Sequence, residues 1–232
     1  MLLDAGGGPG RYTAALAKRG YEIVLLDLVP ENLEFAGSRL KRLGLMGRIR
    51  GLVEGSIEDL SAFPSESFDA VLCLGAPLSH LMSSHERKRA VSELVRVAKV
   101  DAPIFVSVIN KFSALIYELR GKYLLAEPDG TELFRPLLEE GDHTGKYLFT
   151  DFHGFLPEEL RETLSRPDVE ILEMVGLEGL GAHHPDEVNK LARDRKLWRL
   201  WLEAHYKICT HPSVVGTSEH ALLVGRKIAH SP

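Results

Sequence analysis

The residues best suited to chemistry stand at the amino end, in Asp4-Ala5-Gly6-Gly7-Gly8-Pro9-Gly10. Glycines at this density let the backbone approach a ligand closely and adopt φ values closed to other residues. A short apolar run, Leu2-Leu3, leads into the loop, and an Ala- and Leu-rich stretch, Arg11 to Lys18, leads out of it. The loop therefore joins a strand to a helix, and the first such crossover of a doubly wound sheet is the usual nucleotide crevice. A second acid, Asp27, ends the next apolar run, 19 residues after Gly8. A carboxylate about 20 residues on is the one expected to take both hydroxyls of a ribose. A strand-end turn acid is the plainer reading of Asp27, and the glycine loop outweighs it.

What the loop lacks narrows the ligand. A dinucleotide fingerprint needs Gly or Ala three residues after its second glycine. That position is Arg11 or Thr13, depending on which glycines are counted. The Gly-Lys-Ser/Thr of a phosphate-binding P-loop is missing too. Asp4, just before the glycines, is poorly placed for a pyrophosphate. It suits a cationic amino acid or its ammonium group, held directly or through water.

Other candidates are weaker. His80, in Ala76-Pro77-Leu78-Ser79-His80, follows a fourth apolar run and could act as a general base; shaping the loop through a carbonyl is the commoner role. His153 lies in Thr150–Phe155, where an extended chain would put Asp151, His153 and Phe155 on one face. A strand with a solvated face accounts for that pattern equally well. His183-His184 has no Cys or acidic companion at metal spacing, so it reads as an exposed loop pair, and no metal site is expected. His205 and His211 read as structural, and Cys73 as a core thiol.

These residues need a scaffold. The pattern predicts strands over 2–4, 21–27, 48–53, 68–74, 103–109, 169–175 and 221–225. Helices are expected over 11–18, over 30–44 with Leu33, Ala36, Leu40 and Leu43 at helical spacing, and over 84–99 with Ser84 as cap. Another begins at Pro157, and one or two span 186–207. Alternating strands and helices imply a parallel sheet covered on both faces. The stretches 111–154 and 179–216 break the alternation and read as insertions in one domain.

At this point the chain resembles a known family. LLDAGGGPGRYTAALAKRGYEIVLLD is similar to the first two motifs of class I S-adenosylmethionine-dependent methyltransferases. Gly55-Ser56-Ile57-Glu58-Asp59-Leu60 resembles the third motif, with Ser56 where an acid usually stands. Phe68 to Gly75 resembles the fourth, and Phe155-Leu156-Pro157-Glu158-Glu159-Leu160 the entry to a later helix. The resemblance implies that Asp4, Gly6, Gly8 and Gly10 face the aminoacyl part of the cofactor. Asp27 would hold the ribose, Leu28 would pack on the adenine, and Ser56 with the Ile57 N–H would meet the ring. Carbonyls near Leu74 and Gly75 would meet the ammonium. It also implies an α/β, doubly wound, Rossmann-like seven-stranded and mostly parallel sheet, its last strand antiparallel, with helical insertions after strands 5 and 6. Residues 1–232 would then be a single methyltransferase domain whose insertions, 111–154 and 179–216, cap the substrate. The resemblance also implies a lid segment ahead of the first motif, and with that motif starting at residue 2 the segment is expected to be missing from this sequence.

Composition sets the remaining bounds. The 232 residues are 44% hydrophobic and 26% charged, which is globular usage, with enough length for a core that needs no staples. A net charge of −5 weakens the case for nucleic acid or an anionic membrane as partner. Two cysteines and the absence of a signal-like start point to a cytoplasmic protein. Arg193 to Trp201 mixes basic and aromatic residues as an RNA contact would, but Asp194 and Glu203 interrupt it, and a solvated face beside a core face explains it better. The expected activity is methyl transfer to a small molecule, with S-adenosylhomocysteine as product. Phe112, Tyr117, Tyr123, Phe134, Tyr147 and Phe149 favour an apolar or aromatic acceptor. An RNA methyltransferase and a non-catalytic cofactor-binding subunit remain alternatives, and a homodimer stays open.

Overall fold

The computed structural model describes residues 1–120, 130–144 and 150–229. Tyr123, Tyr147 and Phe149 lie outside the described residues. The chain divides into two compact units. Unit 1 is Met1–Ser107, Thr163–Leu172 and Val224–Pro232; unit 2 is Val108–Glu162 and Glu173–Leu223.

The first five sheet strands alternate with helices: β1 (Leu2–Ala5), α1 (Arg11–Ala17), β2 (Ile23–Asp27), α2 (Pro30–Arg42), β3 (Ile49–Glu54), β4 (Ala70–Cys73), α3 (Ser84–Val97) and β5 (Pro103–Ile109). Every residue of β1, β2 and β4 is buried, as expected of central parallel strands with both faces covered. No residue of β3 is, because it is an edge strand. β1 pairs in parallel with β2 and β4, so Leu3 sits opposite Val24 on one side and Val71 on the other. Leu33, Ala36 and Leu40 of α2 pack with Leu25 and Ala14. Each such leucine, fully buried, stabilises by about 1.5–3 kcal/mol. Leu43, expected on the same stripe, is 40% exposed, because the helix ends there and the chain turns at Gly44. The cap of α3 is Ser83 rather than Ser84. Its hydroxyl accepts from the Glu86 N–H while the Glu86 carboxylate accepts from the Ser83 N–H, a capping box that the neighbouring serine cannot make.

The rest of the chain forms α4 (Lys111–Arg120), α5 (Gly130–Glu139), β6 (Asp142–His143), β7 (Phe152–His153), α6 (Pro157–Thr163), β8 (Val169–Gly176), α7 (Pro185–Leu191), α8 (Arg195–Ile208), α9 (Pro212–Val215) and β9 (His220–Lys227). β6 and β7 pair with each other as an antiparallel ribbon, so the strand weighed for Thr150–Phe155 is present at β7, with His153 buried instead of on a solvated face.

The main sheet has seven strands in the order β3-β2-β1-β4-β5-β9-β8. β9 runs antiparallel to both neighbours. Lys227 N–H donates to Ala102 while Asn110 N–H donates to Glu219, and Ile228 N–H donates to Asp168 while Leu177 N–H donates to His220. The expected sheet, antiparallel last strand included, is therefore present. The strand order reverses between β1 and β4, the switch point beside which such sheets bind ligands.

Candidate functional site

The site lies in unit 1, at the carboxyl ends of β1, β2 and β4. After β1 the chain turns through Gly6, Gly8 and Gly10, with φ of 72°, 53° and 71°, the left-handed region that favours glycine. The loop is also crowded from beneath. A Cβ on Gly6 would lie 2.5 Å from the Pro77 ring, and one on Gly7 would lie 2.2 Å from Leu25 Cδ1 and 2.7 Å from the Asp4 carboxylate. A Cβ on Gly8 would meet nothing within 4 Å. The loop thus presses its underside into the sheet and opens a bare backbone above Gly8. Gly7 was not singled out by the motif, and it has the least room of the three.

Asp4 is fully buried at the end of β1. Its Oδ2 accepts from the Thr13 hydroxyl at 2.6 Å and the Thr13 N–H at 3.0 Å. Its Oδ1 is buried with no hydrogen-bond partner. Burial pushes the Asp4 carboxyl up to about 6, against the lowering pull of the Thr13 bonds and with a smaller push from the charge of Asp27. A buried carboxylate with one idle oxygen is a costly group that a cationic ligand would relieve.

Asp27 is 7% exposed at the end of β2. Its Oδ2 accepts from the Gly8 N–H at 2.7 Å, and its Oδ1 from the Val29 N–H and Asn32 Nδ2, both at 3.0 Å. It therefore fastens the glycine loop besides facing it. A carboxylate has about four acceptor positions, so three protein donors leave room for a ligand hydroxyl. Leu28, next along, is 67% exposed, and Ile57 is 6% exposed with its Cγ2 3.7 Å from a Cβ placed on Gly6. The Ser56 hydroxyl accepts from the Glu58 N–H at 3.2 Å, which shapes its own turn.

After β4, Leu74 is half-buried and Gly75 exposed. Gly75 and Ala76 both have positive φ, 85° and 66°. This bend is held by Ser107 on β5, whose buried hydroxyl accepts from the Gly75 N–H at 3.0 Å and the Ala76 N–H at 3.4 Å. His80 ends the single helical turn that follows, Pro77–His80, and is exposed.

The structure thus brings Asp4, Gly6, Gly8, Gly10, Asp27 and Ile57 together through named contacts or loop geometry, and sets Leu74 and Gly75 at the end of the neighbouring β4. Thr13 and Ser107 escaped the motif reading, yet both hold the site. Each is a hydroxyl beside apolar residues, Ala14 to Ala17 after Thr13 and Val106 and Val108 on either side of Ser107, and that irregularity was the available signal.

The remaining histidines belong elsewhere. His153 is buried, with Nδ1 2.6 Å from Asp142 Oδ1 and Nε2 2.8 Å from Glu159 Oε1, so it ties the β6–β7 ribbon to α6. His183 is not an exposed loop residue. Its Nε2 is 3.1 Å from the Ser113 hydroxyl, and its N–H donates to Glu219 at 2.8 Å, partners 70 and 36 residues away that spacing could not reveal. The His211 ring nitrogen caps α9 by accepting from the Ser213 N–H, and His205 packs against Gly179. Glu178, Glu219 and His220 bring ligand atoms within 4.8 Å of one another. Glu178 there is engaged by the His220 ring, the His220 N–H and the Ser218 hydroxyl. Cys73 is fully buried, and burial pushes its thiol up to about 12, which keeps it unreactive.

The chain is similar to known methyltransferases. Residues 2–101 match the model of a methyltransferase domain. The matched segment is 100 of the chain's 232 residues. The chain is 28% identical over 162 residues to a glycine/sarcosine/dimethylglycine N-methyltransferase of Actinopolyspora halophila, covering 66% of this chain and 27% of that protein. It is 31% identical over 176 residues to a ubiquinone biosynthesis O-methyltransferase of Xanthomonas campestris, covering 76% of this chain and 65% of that protein. The chain thus spans less than two thirds of either relative. A crystal structure of a SAM-dependent methyltransferase from Methanosarcina mazei superposes with a TM-score of 0.66 at 22% identity, over 98% of this chain and 92% of that one. The fold is that of the class I methyltransferases, and family and fold together imply S-adenosylmethionine as cofactor. The observed residues fit it: an idle buried carboxylate oxygen for an ammonium, a bare glycine backbone, and a second carboxylate with spare acceptor capacity.

Proposed function

We propose that the protein transfers a methyl group from S-adenosylmethionine to a small-molecule acceptor. The observation that carries this reading is the buried, partnerless Oδ1 of Asp4 beneath the glycine loop. A pyrophosphate would be repelled by that charge, whereas an amino-acid ammonium would pair with it. The cofactor, when bound, supplies an electrophilic methyl group on a sulfonium, open to in-line displacement. The protein's task is then to align the partners and exclude water.

In this reading Asp4 takes the ammonium and Asp27 the ribose hydroxyls. Leu28 and Ile57 flank the adenine, with Ser56 beside it, and the bend at Leu74–Gly75 offers carbonyls. Thr13 and Ser107 act as positioning residues, one orienting Asp4 and the other the bend. Where an acceptor arrives protonated, His80 is the candidate to receive its proton. The segments 111–154 and 179–216 would hold the acceptor. Relatives named as an N-methyltransferase and an O-methyltransferase support a small acceptor and leave its atom open.

Calorimetric titration with S-adenosylhomocysteine, with NAD⁺ as control, tests this. One-to-one binding of S-adenosylhomocysteine alone, lost in Asp4→Ala, is the expected result. Binding of NAD⁺ instead, or of neither ligand by a folded protein, would defeat the proposal.

A further inference from the structure

Unit 2 holds a second polar constellation, built from three stretches of its chain. Ser113, in the first turn of α4, sets its hydroxyl 3.1 Å from His183 Nε2. His183 Nδ1, on the other side of the ring, lies 4.0 Å from Glu219 Oε1. The same Glu219 oxygen accepts from the His183 N–H at 2.8 Å, so the carboxylate is tied to the residue whose ring it faces. His183 has a φ of 63°, a left-handed conformation that persists only where the surroundings hold it. Arg120, at the end of α4, donates to its carbonyl, and Glu219 holds its N–H. Ser113 is 4% exposed and the His183 side chain 11%. Burial pulls the ring below the usual histidine range, against the opposing charge of Glu219, so the imidazole is neutral near pH 7. The carboxylate beside Nδ1 assigns the ring proton there, which leaves Nε2 to accept from the Ser113 hydroxyl.

The start of α4 adds donors. The Lys111 N–H donates to the Phe155 carbonyl and the Ala114 N–H to that of Asn110, but among the described residues nothing accepts from the Phe112 or Ser113 N–H. Asn110, just before the helix, is fully buried with an unpartnered Oδ1, a further unsatisfied group at this end. A serine, a neutral imidazole and a carboxylate in series, beside two free N–H groups, make an activated nucleophile for acyl transfer.

We propose that Ser113, His183 and Glu219 form an esterase site, independent of methyl transfer, that takes esters of small acyl groups such as acetyl. The slight exposure of Ser113 admits a compact acyl group and excludes a long chain. Ser113 Oγ bonds to the ester carbonyl carbon, and its proton passes to His183 Nε2. The ester C–O bond then breaks, and the leaving alcohol takes that proton. Water attacks the acyl-serine and gives a proton to Nε2, which returns it to Ser113 Oγ as the acid departs. The Phe112 and Ser113 N–H groups would receive the oxyanion formed in each step. Glu219 acts through His183 as a positioning residue, and such contacts are often long before substrate binds.

Full-length protein is incubated with p-nitrophenyl acetate, without added cofactor. Nitrophenolate release is followed, and acid-quenched protein is mapped by mass spectrometry. The expected result is turnover with an acetyl group trapped on Ser113. Ser113→Ala and His183→Gln should each lower the rate about 100-fold. Glu219→Gln should lower kcat at least about tenfold with KM unchanged, a split that a merely structural role would not give. The decanoate ester should react more slowly than the acetate. The adduct map of the unaltered protein does not depend on any variant folding, and melting midpoints check the variants. Absence of turnover overturns the proposal, as does acetylation of lysines alone or an unchanged rate in folded Ser113→Ala. In each of those cases the Ser113–His183 contact is a tether between α4 and the chain after Gly181. Equal or faster turnover of the decanoate overturns the small-acyl assignment.

Discussion

The glycine loop of unit 1 and helix α8 of unit 2 use the chain in opposite ways. In the loop, the backbone itself is the working surface. Gly6, Gly7 and Gly10 are held by Pro77, Leu25, Asp4 and Ala36 beneath them, and Asp4 and Asp27 are buried within a few residues of solvent. In α8 the backbone is an ordinary helix that buries no residue, and its side chains are what meet solvent. A site that must meet a compact charged ligand needs exact backbone placement, which burial supplies.

Substitutions that add volume should separate the two regions most sharply. Gly7→Ala puts a methyl into Leu25 and Asp4 and should cost about 3 kcal/mol or more, read by denaturant unfolding, together with loss of S-adenosylhomocysteine binding. Gly216→Ala, just past α9, has as its nearest neighbour the Pro212 carbonyl at 3.4 Å and an ordinary helical φ, and it should shift stability by less than about 0.5 kcal/mol. Equal effects at the two positions would erase the contrast.

Asp4 gives a pH signature of nearly the same size. The folded carboxyl holds its proton to about 6, against 3.8 for the ordinary group. The native state therefore binds more protons than the unfolded one between those values. Stability of the cofactor-free protein should fall as pH rises through that window, by about 3 kcal/mol in all. Asp4→Asn should remove that part of the pH dependence, seen as the difference between wild-type and variant unfolding curves. Ligand affinity should move the other way, rising as pH climbs through about 6 because the ammonium pairs with the ionised form. A pH-independent difference between the two proteins would show that Asp4 is not held in this state.

Asp27→Ala should weaken S-adenosylhomocysteine binding by about 1.5–3 kcal/mol, through lost ribose bonds and a Gly8 N–H set free. Calorimetry reads this directly, and unchanged affinity in a folded variant would remove Asp27 from the site. The smallest effect is expected in unit 2. Asp194→Ala removes the cap of α8 and should cost about 1 kcal/mol in thermal unfolding, leaving ligand affinity unchanged.

Much of this was legible beforehand, and for a common reason. β1, β2, β4 and β5 announce themselves as dense apolar runs because parallel strands are buried on both faces. Asp4, the glycines and Asp27 stand out because their spacing along the chain follows from one strand-turn-helix unit. β6 was missed because a two-residue strand carries no period, and its pairing with β7 could not be read from Thr150–Phe155 alone. His183 was misread because Ser113 and Glu219 are distant in sequence and adjacent only after folding. Ser84 was preferred to Ser83 because both serines stand at the start of the same helix, and only the reciprocal bond with Glu86 distinguishes them.

The sequence by itself determined the alternation of strands and helices and the glycine loop that joins the first of them, because local hydrogen bonding and apolar periodicity act over a few residues. Only the tertiary structure decided how those groups are charged and held. Asp4 keeps an idle oxygen because strands and a helix close over it, and the bend after β4 is steady because Ser107, 32 residues on, reaches back to Gly75. Burial and long-range hydrogen bonds belong to the packed molecule, and no spacing along the chain encodes them.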